Sequence, residues 1–106
     1  MIVIFSGGFQ YSLANPRNLG YIAAVIGYSV DLDCQMNDPS VNVSLKQEKK
    51  NGKDFDRIAD GIKVTQSGQI FTINNVEKTD EGKYSCKVGP TSMRIEEVLV
   101  TKKQPG

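Results

Sequence analysis

Few side chains in this sequence could take part in acid–base or nucleophilic chemistry. The 106 residues include no histidine, which removes the most common general acid and base and any nucleophile activated by an imidazole. Carboxylate pairs remain, such as Asp31 with Asp33 and Glu96 with Glu97. Each pair lies on a predicted strand at positions that should face solvent or a sheet edge. We therefore predict no catalytic residue, and a protein that is not an enzyme.

The two cysteines, Cys34 and Cys86, leave two interpretations open when residue types alone are considered. They could be joined in a disulfide or remain as separate buried thiols. A zinc site is excluded, because a structural zinc ion takes about four nitrogen or sulfur ligands and the chain has no histidine to complete the set. Gly7-Gly8 and Gly82 do not form a phosphate-binding loop either. The sequence therefore predicts no metal ion and no cofactor.

Composition indicates one ordinary globular unit. A length of 106 residues is typical of a single domain. Thirteen basic residues against twelve acidic ones give a net charge of +1, whereas a nucleic-acid-binding domain is usually much more basic. No apolar run approaches the roughly 18 residues that span a bilayer. We thus expect no nucleic-acid partner and no membrane span within this sequence.

Apolar residues alternate with polar ones along most of the chain. A period of two is typical of strands that bury one face. Turn-forming sequences such as Asn51-Gly52 and Gly89-Pro90 separate these runs. Seven or eight short strands, spaced about 8–12 residues apart, indicate an all-β sandwich. The alternating apolar positions are Val30, Leu32 and Cys34; Val41, Val43 and Leu45; Phe71 and Ile73; Tyr84, Cys86 and Val88; and Val98 and Val100.

One motif is more specific than the alternation. It reads Asp80-x-Gly82-x-Tyr84-x-Cys86, preceded by Phe71-x-Ile73 and, further upstream, by Cys34. In this motif the chain resembles immunoglobulin-superfamily domains of the intermediate (I-set) type, over residues 9–101. The resemblance implies an immunoglobulin-like Greek-key β-sandwich of two antiparallel sheets. It leaves residues 1–8 as an N-terminal extension or an added tail, and residues 102–106 as a linker.

The resemblance implies a core built around a disulfide. Cys34 and Cys86 would lie on opposing inner faces and bridge the two sheets. The family's core tryptophan is missing, since the chain contains none, and Leu45 stands in its place. Because a leucine fills less volume than an indole, we expect Phe71 or Phe55 to pack over the disulfide.

The resemblance also assigns roles to three other motif residues. Tyr84 would pack inward and donate its hydroxyl to upstream backbone, while Gly82 would permit a close approach at the start of its strand. Asp80 would pair with a basic residue near the start of an earlier strand. Lys63 is the first candidate for that partner and Arg57 is the second.

The family resemblance implies recognition. We expect an extracellular or cell-surface module of a receptor, adhesion molecule or matrix protein, with a protein partner bound homophilically or heterophilically. Asn42-Val43-Ser44 is an N-glycosylation sequon and, with the cysteine pair, favours the secretory pathway. The alternative is an intracellular structural module of a muscle filament protein, in which the cysteines would be reduced.

Alternation also predicts a surface that faces the partner. The resemblance implies that the sheet carrying this surface is frequently used for recognition in this family. Asp31 and Asp33 would lie on the opposite sheet. Glu96 and Glu97 would lie on the same sheet as the predicted lysines and would reduce the positive charge of that surface. We predict that the surface binds an acidic protein patch or, alternatively, a sulfated glycan. The predicted basic residues are Lys46, Lys83 and Lys87, extended by Lys49 and Lys50.

Overall fold

The computed structural model describes residues 10–15 and 20–102. The predicted N-terminal extension, residues 1–8, lies outside these residues, as does the linker beyond residue 102. Within the described residues the chain forms eight strands and one short 3-10 helix. The strands are β1 Tyr21–Val25, β2 Val30–Asp33, β3 Ser44–Glu48, β4 Asp54–Arg57, β5 Val64–Ser67, β6 Ile70–Ile73, β7 Gly82–Val88 and β8 Thr91–Thr101, and the 3-10 helix is Lys78–Asp80.

The strands form two sheets that pack face to face. The larger sheet has the order β1-β8-β7-β3-β4 and the smaller one has the order β2-β6-β5. All pairs are antiparallel except β1 with β8, which run parallel. An isolated antiparallel bridge joins Leu13 to Met36 just beyond β2, whereas β1 pairs with β8 in the larger sheet. The predicted all-β, immunoglobulin-like sandwich is confirmed.

The alternation of apolar residues decides which side of each strand is buried. In β2, Val30 and Leu32 are buried while Asp31 is exposed, and β3 buries Leu45 and Gln47 in the same way. Burial of these side chains removes apolar surface from water, which is the main driving force that holds the two sheets together. The largest fully buried apolar side chains are Tyr84, Phe71, Leu32, Leu45, Ile73 and Ile95.

A disulfide joins Cys34, which follows β2, to Cys86 in β7, with their Cα atoms 5.7 Å apart. Leu45 lies directly opposite Cys86 in the pairing of β3 with β7 and is fully buried. Of the two aromatic side chains expected to cover the disulfide, only Phe71 lies in the core. Phe55 is 41% exposed, because β4 is the edge strand of the larger sheet.

A β-bulge interrupts the alternation of β8 between Arg94 and Glu97. Lys83 pairs with Glu97, but Ser85 pairs with Arg94, so β8 contains one extra residue between these two positions. Glu96 is only 6% exposed, because it lies two residues before buried Val98 on the same side of the strand. The expectation that Glu96 faces solvent is therefore wrong. The inserted residue instead lets Ile95 point inward as well and turns Arg94 outward.

Removal of the disulfide by Cys34→Ala with Cys86→Ala should lower the free energy of unfolding by roughly 2–5 kcal/mol, since the bridge restricts the unfolded chain. Chemical denaturation of the wild type and the double variant under non-reducing conditions measures the difference. Thiol titration of the secreted wild type is the accompanying check. Two free thiols per chain would contradict the bridge and favour the intracellular filament alternative.

Candidate functional site

Asp80 is an almost fully buried carboxylate at one end of the sandwich, with 2% of its side chain exposed. It lies in the 3-10 helix before β7. Its two oxygens contact two cations, since Arg57 Nη2 lies 3.1 Å from one oxygen and Lys63 Nζ lies 2.8 Å from the other. The backbone N–H of Glu77 donates a further bond at 2.7 Å. Both basic residues considered for Asp80 therefore contact it.

Neutral hydrogen bonds fasten the same turn to β7 and β3. Tyr84 donates its hydroxyl to the carbonyl oxygen of Asp80, and burial raises the pKa of Tyr84, so the hydroxyl remains a donor. Gln47 is buried, donates to two backbone carbonyl oxygens of the turn at 3.0 Å, and accepts a bond from Arg57 at 2.6 Å. Sequence reasoning missed Gln47, although a polar residue at an inward position of β3 was a signal. We call Asp80, Arg57, Lys63, Gln47 and Tyr84 the Asp80 network.

A close backbone approach follows the Asp80 network at the start of β7. A Cβ atom at Gly82 would lie 2.5 Å from the carbonyl oxygen of Glu48 in β3. Gly82 also has a φ of +153°, which favours glycine. The glycine therefore lets β7 begin directly against β3.

At the other end of the sandwich, Gln69 holds the loop between β2 and β3. Its side chain accepts a hydrogen bond from the backbone N–H of Met36 at 2.8 Å and donates to the carbonyl oxygens of Asp38 and Val41, each at 3.0 Å. The side chain of Gln69 is buried, so these bonds are shielded from competition by water. The loop therefore enters β3 along a defined course.

The lysines predicted to bind a partner lie on or beside the outer face of the larger sheet. We define this outer face by the side chains of β3, β7 and β8 that point away from the smaller sheet. Cross-strand pairing places them in three rows: Ser44, Lys87 and Ser92; Lys46, Ser85 and Arg94; and Glu48, Lys83 and Glu97.

Three cations surround Ser85 on the outer face. Lys46 and Arg94 lie directly opposite Ser85 on its two neighbouring strands, and Lys87 is two residues further along the same strand. Opposite residues have Cβ atoms about 5 Å apart, and diagonal neighbours are about 7–8 Å apart. We call Lys46, Lys87 and Arg94 the basic cluster. Sequence reasoning missed Arg94, because alternation counted back from Val98 turns it inward and only the bulge reverses its direction.

Lys46 has acidic neighbours on β4. Its Nζ lies 3.6 Å from Asp54 Oδ2, and Asp56 lies directly opposite it in the strand register.

The other predicted lysines also have acidic neighbours. Lys83 lies directly between Glu48 and Glu97 in the strand register. Lys49 and Lys50 line one shallow groove together with these three residues. Lys49 also lies 5.0 Å from the ring centre of the β4 phenylalanine. The basic character of the outer face is therefore strongest at Lys87 and Arg94, neither of which forms an ion pair among the described residues.

The smaller sheet places Asp31 and Asp33 on the opposite side of the molecule. Asp31 accepts a hydrogen bond from the hydroxyl of Thr72 at 2.7 Å. Asp33 accepts bonds from the backbone N–H of Gln35 at 2.9 Å and from the side chain of Asn15 at 3.0 Å. Local donors therefore engage both carboxylates.

Metal sites and membrane spans can be judged only over residues 10–15 and 20–102. Among these residues no three or more His, Cys, Asp or Glu side chains are grouped as a metal site. The same part of the chain has no helix that is long and apolar enough to cross a membrane.

Residues 14–89 match the family model of the immunoglobulin domain. The chain belongs to the immunoglobulin domain family. This immunoglobulin domain is 30% identical over 71 residues to hemicentin-2 of Mus musculus. The match covers 67% of this chain and 1% of hemicentin-2, so the immunoglobulin domain corresponds to a very small part of that relative.

Solved structures show the same immunoglobulin fold. An Ig-like domain from a human cDNA superposes with a TM-score of 0.68 at 21% identity, covering 97% of this chain and 90% of that one. The N-terminal four Ig domains of Dscam1 isoform 4.44 give a TM-score of 0.70 at 15% identity, covering 88% of this chain and 25% of that one. At these identities the likeness shows the fold alone.

Replacement of the buried carboxylate by Asp80→Asn should remove a pH-dependent part of the stability. Burial by itself would raise the pKa of Asp80, but hydrogen bonds from Lys63, the Glu77 backbone and Arg57 outweigh burial and hold this pKa below its ordinary value. A pKa that is lower in the folded chain contributes stability above the unfolded pKa, and this stability is lost as the pH falls through the folded pKa. We expect Asp80→Asn to cost about 3 kcal/mol near neutral pH, because two cations lose their partner.

Urea denaturation at a series of pH values measures the effect. The difference between wild type and Asp80→Asn should shrink once the pH falls below about 4, the ordinary aspartate pKa. Asp56→Asn is the matched control, since Asp56 is exposed on the edge strand β4 and should contribute little. An equal difference at neutral and acid pH would show that ionised Asp80 does not anchor the turn.

Proposed function

We propose that this immunoglobulin domain is an extracellular recognition module that binds an acidic protein surface through the basic cluster. The observation that carries the proposal is the convergence of Lys46, Lys87 and Arg94 around Ser85 on one sheet face. The small serine at the centre leaves room for a partner surface beside Lys87 and Arg94, while Lys46 also contacts Asp54 at 3.6 Å. Such a cluster steers and orients an oppositely charged partner even when the net charge of the domain is close to zero.

An oxidising compartment is supported by the disulfide, because bridged cysteines persist mainly in secreted proteins and ectodomains. The similarity to a segment of hemicentin-2 supports a role as one unit of a longer protein. We place the limits of this unit at residues 9–101, with flanking segments at 1–8 and 102–106. The family is generally non-catalytic, and the buried carboxylate of Asp80 is occupied by structural ion pairs.

The I-set type is supported by the part of the chain between the cysteines. Cys34 and Cys86 are separated by 52 positions, which is short for a variable-type domain. One strand of four residues, β4, lies between β3 and β5. The larger sheet consequently ends at β4, which is the neighbour of β3, one of the strands that carry the basic cluster.

Charge reversal of the basic cluster tests the proposed function. Lys87→Glu with Arg94→Glu should weaken binding to an acidic partner by roughly tenfold or more, equivalent to about 1.4 kcal/mol. Neither residue takes part in an ion pair among the described residues, so the exchange breaks no known internal contact. The measurement is the binding of a multivalent form of the domain to an array of purified extracellular proteins at low and high salt. The array includes a second copy of the domain.

Lys53→Glu with Lys102→Glu is the matched control, because it changes the charge equally at exposed positions outside the outer face. Retained binding by the control, with loss in the cluster variant and at high salt, supports the proposal. Equal binding by wild type and cluster variant would exclude this surface. Direct binding of heparin by a wild type that binds no protein would identify a sulfated glycan instead. Failure of the wild type to bind any protein or heparin would contradict a recognition role.

A further inference from the structure

The sequon at Asn42 lies immediately before β3, next to the basic cluster. Asn42 and Ser44 are exposed, whereas the residue between them, Val43, is 7% exposed and turned into the core. The acceptor amide and the sequon hydroxyl therefore lie on the same, solvent-facing side of the chain. This is the side that continues into the outer face.

The strand register fixes the distance from Asn42 to the basic cluster. Ser44 lies directly opposite Lys87. Asn42 precedes Ser44 by two residues, which corresponds to roughly 7 Å along an extended chain. A group attached to the Asn42 amide would consequently stand beside Lys87, at the end of the basic cluster nearest the loop between β2 and β3.

The loop that carries Asn42 is held in place. Gln69 binds the carbonyl oxygens of Asp38 and Val41, and the backbone N–H of Val41 reaches back to Asp38. Buried Val43 anchors the following position in the core. Because residues on both sides of Asn42 are fixed, its side chain is directed outwards along a defined path.

Three other asparagines among the described residues use their side chains in hydrogen bonds within the domain. Asn37 donates to the Gln10 carbonyl oxygen, Asn51 accepts from the Lys53 backbone, and Asn74 donates to the Ile62 carbonyl oxygen. None of these three lies in an Asn-x-Ser/Thr triplet. Asn37 and Asn51 are exposed as well, so Asn42 is distinguished from them by its sequence context.

We propose that Asn42 carries an N-linked glycan, and that this glycan covers the Lys87 end of the basic cluster and so controls access to it. The inference rests on the proposed function in that it requires passage through the secretory pathway. The co-reactant is an oligosaccharide carried on a lipid pyrophosphate. The Asn42 amide nitrogen bonds to the anomeric carbon, the bond from that carbon to the pyrophosphate oxygen breaks, the lipid pyrophosphate leaves with the electron pair, and the amide nitrogen loses one proton. Glycans are bulky and hydrophilic, so partners would meet a surface of different size with and without the modification.

Intact-mass measurement of the full chain, secreted from animal cells behind a cleavable leader, tests the attachment. The wild type and Ser44→Thr, which keeps the sequon, should both carry an added oligosaccharide mass. Asn42→Gln and Ser44→Ala should both lack it. Wild-type protein of unmodified mass, or added mass that persists in Asn42→Gln, would overturn the assignment of Asn42.

Lysine footprinting tests the covering and needs no partner. Glycosylated wild type and Asn42→Gln are treated with an amine-acylating reagent, and the labelling rate of each lysine is read by peptide mass spectrometry. Lys87 should be labelled several-fold more slowly in the glycosylated protein, while the remote Lys53 and Lys102 react equally in both. Equal rates at Lys87 would refute the covering role. Because no ligand is involved, this result stands apart from any failure of the basic cluster to bind an acidic partner.

Discussion

The buried carboxylate of Asp80 is the interaction on which the rest of the structure depends. Removing a charge from water is costly, and it is tolerated when opposite charges and hydrogen bonds surround the group. Asp80 meets Arg57 from β4, Lys63 from the segment before β5, and the backbone of its own turn. Tyr84 secures the same turn to β7. A single acidic side chain thereby connects both sheets at one end of the sandwich.

The arrangement of side chains on the outer face depends on the Asp80 network and on the disulfide. Gln47 links β3 to the turn, and Arg57 links β4 to Gln47, so the inner sides of these strands are fixed in register. The outward side chains of β3 and β7 are consequently held in the cross-strand pairs described for the outer face. At the opposite end Gln69 fixes the loop into β3. The proposed recognition and its control by a glycan therefore concern a surface whose strands are held in register before a partner binds.

Sequence alone predicted the parts of the structure that obey a short, regular rule. Strand alternation predicted the two-sheet core, and the residues around Tyr84 indicated the turn and two candidate partners for Asp80. Prediction failed where the rule is interrupted or where partners are distant in sequence. The bulge in β8 reverses Ile95 and Arg94 relative to alternation counted back from Val98. Gln69 binds backbone groups about 30 residues away, with separations of 33, 31 and 28, and no local pattern reveals such bonds.

A double-mutant cycle between Arg57 and Asp80 tests most directly whether the buried ion pair anchors the sandwich. The free energies of unfolding of wild type, Arg57→Met, Asp80→Asn and the double variant are measured at neutral pH. If the two groups depend on each other, the coupling energy should lie in the range of about 1–3 kcal/mol, with the double variant less unstable than the sum of the single variants. Additive effects within about 0.5 kcal/mol would contradict the central role of this contact.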